Sequence, residues 1–348
     1  MLDISKVDKN FKIETKINKE DIKFFSIDEA PFKIYGVFKE DGKYRRMPEK
    51  VAKEVSEGVY SLHSHTAGGR IRFVTDSEYI ALNIVYGRIS RFSHMPLSGS
   101  SGFDIYADNR YTKTIMPPWD VADKHEGICE FTDKKEREIT ISFPIYTEVK
   151  DVYIGLQQNC TIKEAKPYKN SKPVVFYGSS ITQGGCASRP GRCYQEILSR
   201  KFDCDYINLG FSGSAKAEDV MIDYVKNLDM SVFVFDYDYN APTTEHLRNT
   251  HEKMFKVVRE NHPDIPVVMM SRPKHILSEI EEERRGIVET TYKNALSSGD
   301  KNVYFLDGKA LTVLCKDEGT VDGCHPNDFG FAAMAEAVSE VFSNIEIK

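Results

Sequence analysis

Val174-Val175-Phe176-Tyr177-Gly178-Ser179-Ser180-Ile181-Thr182-Gln183-Gly184-Gly185 is the stretch on which the fold turns. β-Branched and aromatic residues run straight into a turn of small residues, and the turn presents a serine. A parallel α/β sheet delivers a reactive group in this way, at the carboxyl end of its first strand. Two other designs are disfavoured by the same residues. An α/β-hydrolase elbow needs glycine where Thr182 stands. A phosphate-binding loop needs Gly-Lys-Ser/Thr where Gly184-Gly185-Cys186 follows. Taken alone, Gly-Ser-Ser is also an ordinary βα loop, so the reading depends on the rest of the chain.

Downstream, β-rich runs at 173–178, 205–209, 231–236, 265–270 and 302–306 alternate with helical spacings at 193–201, 217–228, 244–261, 279–296 and 329–342. In the last of these Phe331, Met334, Ala335, Val338, Val341 and Phe342 share one face, the mark of a helix packed on a core. This alternation predicts an α/β class domain with a five-stranded parallel sheet covered on both faces. Its site is expected at the carboxyl edge.

Upstream, residues 10–165 read as all-β. The runs at 71–75 and 79–86, the hairpin pattern around Asp108-Asn109, and the alternating stretch at 137–143 predict many short strands and a sandwich. Only 49–57 suggests a short helix. The lysine-rich run at 162–173 carries Pro167 and Pro173 and reads as a linker. Two domains follow: an accessory sandwich over 1–168 and a catalytic α/β domain over 171–348.

The chain has 348 residues, 29% charged, with a net charge of −6, and its mild acidity argues against nucleic acid as a partner. Its apolar runs are strand-sized, which argues against a membrane span. Met1-Leu2-Asp3-Ile4-Ser5-Lys6-Val7 lacks the apolar run of an export signal, and the seven cysteines are odd in number. A cytoplasmic protein with reduced thiols is the expectation. Cys186 and Cys193 are the one pair near enough in sequence to weigh as a disulfide, and they are expected to be free. His63 and His65 lie at strand spacing, but no visible partner completes a metal site.

Three further stretches bear on chemistry: Asn208-Leu209-Gly210-Phe211-Ser212-Gly213, Asp236-Tyr237-Asp238-Tyr239-Asn240 and Asp322-Gly323-Cys324-His325-Pro326. A serine hydroxyl becomes a useful nucleophile when an imidazole takes its proton, and a carboxylate fixes the imidazole tautomer. Asp322 and His325 stand three residues apart, within reach of one turn; a surface loop could carry the same pair. Gly213, in a small-residue turn, can expose a backbone N–H, and Asn240 carries an amide donor. Each also has a plain structural use, as a turn or a cap. With the N–H of Ser180 they would form three donors around one oxygen.

The order Gly-x-Ser-x-Thr-x-Gly, Asn-x-Gly-x-Ser-Gly, Asn and Asp-x-x-His resembles the SGNH, or GDSL-type, hydrolases over the second half of the chain. The resemblance implies a flavodoxin-like three-layer α/β/α fold. It makes Ser180 the nucleophile, Asp322 and His325 its partners, and Ser180, Gly213 and Asn240 the oxyanion hole. Two positions depart from the pattern: Ser179 stands where the family usually has Asp, and 236–240 replaces Gly-x-Asn-Asp. Gly102-Phe103-Asp104-Ile105-Tyr106 is similar to the Gly-x-Asp-Leu-Tyr motif of a subgroup with a preceding jelly-roll-like sandwich.

The expected activity is a serine esterase that uses neither metal nor cofactor. Its substrate would be a small-molecule or oligosaccharide ester, with acetyl on a sugar or other polyol favoured. The small polar loop Gln183-Gly184-Gly185, continuing through Ser188-Arg189-Pro190-Gly191-Arg192, suits such an alcohol, as do the carboxylates and phenols of 236–239. The glycine- and serine-rich loop at 92–102 is expected to reach the cleft. A longer-chain lipase or thioesterase and a non-catalytic carbohydrate-binding protein are the alternatives. Homo-oligomerisation stays open.

Overall fold

The computed structural model describes Val7, Asp8, Lys12, Ile13 and residues 15–347. Residues 1–6, read above for an export signal, lie outside the described residues. The N-terminal half runs through β1 (Ile22–Ser26), β2 (Lys33–Tyr35), β3 (Phe38–Glu40) and β4 (Lys43–Arg45) to helices α1 (Glu49–Val55) and α2 (Glu57–Leu62). It continues with β5 (Arg70–Thr75), β6 (Tyr79–Ile89), α3 (Leu97–Ser100), β7 (Phe103–Ala107) and β8 (Arg110–Ile115). Strands β9 (Lys124–Glu130), β10 (Arg137–Ser142), β11 (Thr147–Gln157) and β12 (Ile162–Lys163) close it.

Two large antiparallel sheets result, beside the two-stranded pair β3-β4. One has the order β1-β11-β6-β9; the other has the order β12-β5-β10-β7-β8, with β2 beside β5. Alternate residues of each strand turn inward: Ile71 and Phe73 on β5, Ile139 and Ile141 on β10, Leu82 and Ile84 on β6, Val152 and Ile154 on β11 meet in one core. This is the expected sandwich.

The second half follows with β13 (Asn170–Gly178), α4 (Ser180–Gln183), α5 (Tyr194–Phe202), β14 (Cys204–Gly210), α6 (Asp219–Lys226) and β15 (Val232–Asp236). It ends with α7 (Thr244–Asn261), β16 (Val267–Met270), α8 (Glu279–Ser297), β17 (Val303–Leu306), α9 (Gly308–Leu311) and α10 (Asp328–Phe342). The parallel sheet has the order β14-β13-β15-β16-β17. Because strand side chains alternate, Val175, Tyr177, Phe233 and Phe235 face α6, α7 and α8. Val174, Phe176, Val232 and Val234 face α5 and α10. A three-layer α/β/α domain is the outcome. Among the described residues no helix is long and apolar enough to cross a membrane.

The two halves interpenetrate. Met47, Ala52, Val55 and Val59, from the segment that carries α1 and α2, sit in the same core as Val175 and Leu209 of the parallel sheet. Strand β14 is an edge strand, and the outward carbonyls of alternate residues would lack ladder partners. Two buried arginines from the first half fill them. Arg70 donates to Tyr206 O at 3.1 Å and pairs with Asp205, while Arg46 donates to Asn208 O at 3.1 Å and to Gly210 O at 2.7 Å.

Two expectations need correction here. Residues 162–173 are no free linker: β12 pairs with β5, and buried Tyr168 accepts a hydrogen bond from Arg70 Nε at 3.2 Å with its ring 4.1 Å from the Arg72 guanidinium. Lysine and proline content reflected only the exposed side of this segment. The run at 92–102 is no open loop either, since it folds into the turn α3, with Leu97, Gly99 and Ser100 buried. Cys186 and Cys193 are free, as expected.

Candidate active site

Strand β13 ends at Gly178 and the chain turns at once into α4, whose first residue is Ser180. Ser179 caps it: its Oγ accepts from Ile181 N–H at 3.1 Å, the service a carboxylate would give at this position. Thr182 explains the departure from a second elbow glycine. Its hydroxyl donates to the buried carboxylate of Asp236, which also accepts from Ser179 N–H at 3.2 Å. Burial pushes the Asp236 carboxyl up to about 7, although both donors pull the other way. A Cβ on Gly178 would overlap Asp236 Oδ1, so the carboxylate fits only beneath a glycine.

The second loop is locked to the first. Asn208 Nδ2 donates to Thr182 O at 2.8 Å, and its Oδ1 accepts from Gly210 N–H at 2.9 Å. Gly210 lies against the Gln183 backbone, where a Cβ has no room. Gln183 Oε1 in turn accepts from Ser212 N–H at 3.1 Å. Among the described residues neither Ser180 N–H nor Gly213 N–H donates to a protein acceptor. Gly213 has φ +65°, with open space where a side chain would stand. Asn240 Nδ2 donates one N–H to Phe211 O at 3.0 Å, which ties it to the Gly213 loop and leaves its second N–H uncommitted.

The third element is a turn closed by Val321 N–H to His325 O at 2.9 Å. Within it Asp322 Oδ1 accepts from Cys324 N–H at 3.0 Å and His325 N–H at 2.8 Å, and Oδ2 lies 2.8 Å from His325 Nδ1. His325 Nε2 lies 3.0 Å from Ser180 Oγ. Burial of Asp322 works upward, but the His325 and Cys324 N–H groups and the imidazole outweigh it and take the carboxyl to about 2. An ionised Asp322 holds the proton of His325 on Nδ1 and turns the lone pair of Nε2 toward the serine. Ser180, His325 and Asp322, chosen from sequence, are thus brought into one chain, while Asn240 is tied to the loop that carries Gly213.

A pocket of about 350 Å³ opens on His325. Gly185, Cys186, Ser212 and His325 form one wall, and Leu62, His65, Arg88, Phe92, His94, Met95 and Tyr146, all from the first half, form the other. Part of 92–102 therefore does reach the cleft, through Phe92, His94 and Met95. Tyr146 OH lies 2.6 Å from Ser212 Oγ and 3.4 Å from Ser180 O. Sequence reasoning missed Tyr146, weighed His65 only as a metal ligand, and read Gln183 only as part of a small polar loop. Only Gln183 lay inside a quoted motif, and nothing in the pattern distinguished its role. Burial pushes the Cys186 thiol up to about 12, so it offers no rival thiolate nucleophile.

Other expected groups are placed elsewhere. Asp236, Tyr237 and Asp238 are buried, and Tyr237 belongs to the core with its hydroxyl 2.9 Å from Thr250 Oγ1. Asp236 ends β15, which is buried on both faces, and the chain beyond it carries Tyr237 and Asp238 inward; none of 236–239 lines the pocket. The run 188–192 docks on the Gly-Phe-Asp-Ile-Tyr motif instead. Fully buried Asp104 accepts from Arg189 Nη1 at 2.6 Å and from Gly191 N–H at 2.8 Å, and Tyr106 OH takes Arg189 Nη1 at 2.8 Å. His63 and His65 are used structurally: His63 Nε2 is 2.7 Å from Arg45 Nη1, and His65 Nδ1 is 3.2 Å from Gln183 Nε2.

This fold, with a serine, a histidine and an aspartate in line at the carboxyl edge of the sheet, defines an SGNH-type hydrolase. Residues 171–343 match the GDSL-like lipase/acylhydrolase family, and residues 22–162 match the N-terminus of SGNH-hydrolase-type esterases. The chain belongs to this family and is a carboxylic ester hydrolase of the SGNH type. A protein from Bacteroides ovatus described as a GDSL-like lipase is 26% identical, with 94% of this chain and 99% of that chain covered and a TM-score of 0.83. The salicylyl-acyltransferase SsfX3 from a tetracycline biosynthetic pathway is 18% identical over 95% and 100% of the two chains, with a TM-score of 0.78. An acetyl xylan esterase from Butyrivibrio proteoclasticus is 11% identical over 92% and 98%, with a TM-score of 0.60, a likeness of fold. No curated protein sequence matches the chain.

Proposed function

We propose that the protein hydrolyses short acyl esters, acetyl on a carbohydrate or other polyol, through an acyl-enzyme on Ser180. The observation that carries this reading is the unbroken run from Asp322 through His325 to Ser180 Oγ, together with the uncommitted backbone N–H groups of Ser180 and Gly213. Ser180 Oγ attacks the ester carbonyl while His325 Nε2 takes its proton. The N–H groups of Ser180 and Gly213 and the amide of Asn240 hold the oxyanion. His325 returns the proton to the departing alcohol. Water then attacks the acyl-enzyme, its proton passes through His325 to Ser180 Oγ, and the carboxylic acid leaves.

The polar part of the pocket supports a hydroxyl-rich alcohol. Ser61, His65, Arg88, Ser90 and His94 offer donors and acceptors along the wall contributed by the sandwich half. On this reading 1–168 shapes the substrate pocket for a catalytic domain at 171–348. A series of p-nitrophenyl esters tests it, with activity falling steeply from acetyl to octanoyl and acetate released from acetylated oligosaccharides. A preference for octanoyl would shift the reading to a lipase or thioesterase, which Leu62, Phe92 and Met95 could serve. No turnover of any ester would leave a carbohydrate-binding protein.

A further inference from the structure

One ligand-capable atom from each of His94, Cys186 and His325 lies within 4.8 Å of the other two. Tetrahedral Zn²⁺, with bonds of about 2.0–2.1 Å to nitrogen and about 2.3 Å to sulfur, needs such atoms roughly 3.3–3.6 Å apart. Separations within 4.8 Å thus call for a closure of at most about 1 Å. His94 can supply it, because its side chain is exposed, makes no hydrogen bond among the described residues, and packs on the rings of Phe92 and His325. Cys186 is buried but lines the pocket, so its sulfur faces the same space.

We propose that His94, Cys186 and His325 form a Zn²⁺ site that closes the active site reversibly. Two imidazoles and a thiol are a donor set for Zn²⁺ and poorly suited to Mg²⁺ or Ca²⁺, which take oxygen. Asp322 holds His325 Nδ1 at 2.8 Å, so Nε2 is the ligating atom, and a carboxylate–histidine–metal arrangement is already built. Cys186 gives its proton to solvent as the S–Zn bond forms, and water takes the fourth position. The Nε2 lone pair that would receive the Ser180 proton is then bound to metal, so the general base is lost. Ligands come from both halves of the chain, and the metal would also pin the 92–95 wall against the catalytic turn.

The inhibitory half of this inference rests on the proposed function; the binding half does not. The purified full chain is titrated with Zn²⁺ during p-nitrophenyl acetate hydrolysis, and separately with Co²⁺ while its absorption is recorded. Expected are inhibition reversed by EDTA and a thiolate-to-Co²⁺ charge-transfer band that survives in Ser180→Ala. Cys186→Ala should lose that band, and Cys186→Ala and His94→Gln should each weaken Zn²⁺ binding by about tenfold or more, a loss of ~1.4 kcal/mol. Absence of the band in the wild type, or equal Zn²⁺ affinity in the wild type and His94→Gln, overturns the site. Should the wild type turn over no ester while the band appears, the esterase reading fails and the metal site stands.

Discussion

The hydroxyls of Tyr146 and Ser212 lie 2.6 Å apart, and this pair joins the end of the sandwich half to the loop that carries Gly213. The same tyrosine hydroxyl lies 3.4 Å from the carbonyl of Ser180. A residue outside the catalytic sheet thus helps set the position of the N–H groups that would receive the oxyanion. Tyr146→Phe keeps the ring and removes the bond. We expect kcat to fall by roughly tenfold with KM little changed, and stability to fall by about 1 kcal/mol. Steady-state kinetics and urea unfolding check this; an unchanged kcat would detach Tyr146 from the chemistry.

Ser180→Ala should abolish turnover in a folded protein, and a serine-reactive phosphonate should add once per chain, at Ser180. His325→Ala is expected to cost nearly as much. Asp322→Ala should cost less, because the carboxylate orients the imidazole and transfers no proton. Asn240→Ala should lower kcat by about 10²–10³-fold if its free N–H meets the oxyanion. Peptide mapping of the phosphonate adduct decides the nucleophile, and label at any other residue would refute the assignment.

Arg46 bonds four main-chain carbonyls: His65 O at 2.7 Å, Leu62 O at 2.8 Å, Asn208 O at 3.1 Å and Gly210 O at 2.7 Å. Arg46→Met leaves these acceptors buried and unmatched, at a cost of about 3–5 kcal/mol measured by chemical denaturation. A fragment of residues 171–348 loses Arg46, Arg70 and the apolar residues Met47, Val55 and Val59 together. It should fail to give a cooperative unfolding transition. A stable, soluble fragment would show that the sheet edge needs no cover.

Asp236 couples the elbow to pH. Its folded carboxyl, at about 7, stands above the reference value of 3.8. The folded state therefore holds a proton that the unfolded chain has released, and stability falls as pH rises across this window. Asp238, raised to about 6 by burial, acts with the same sign. Between about pH 5 and 8 the Asp236 contribution alone should decline by roughly 2–3 kcal/mol. Asp236→Asn keeps an acceptor for Ser179 N–H and Thr182 and should flatten that slope. Urea unfolding at the two pH values decides it, and an unaltered slope in Asp236→Asn would show that the carboxyl is ionised throughout.

Gly178-Ser179-Ser180, the alternation of strand and helix after it, and Asp322 with His325 were legible in the chain itself. They depend on local rules: period, turn chemistry and a three-residue spacing that one turn can close. Side-chain direction was not legible. Asp236, Tyr237 and Asp238 read as a polar rim, yet Asp236 ends a strand held between two helical layers, Tyr237 packs in the core and Asp238 accepts from buried Arg272 N–H. Residues 162–173 read as a tether, yet Tyr168 is buried beside two arginines from β5. The partnership of Tyr146, Arg46 and His94 with the catalytic half joins positions far apart along the chain. No period or motif encodes such a contact. It arises because one exposed sheet edge left carbonyls and apolar surface that the first half of the chain had to cover.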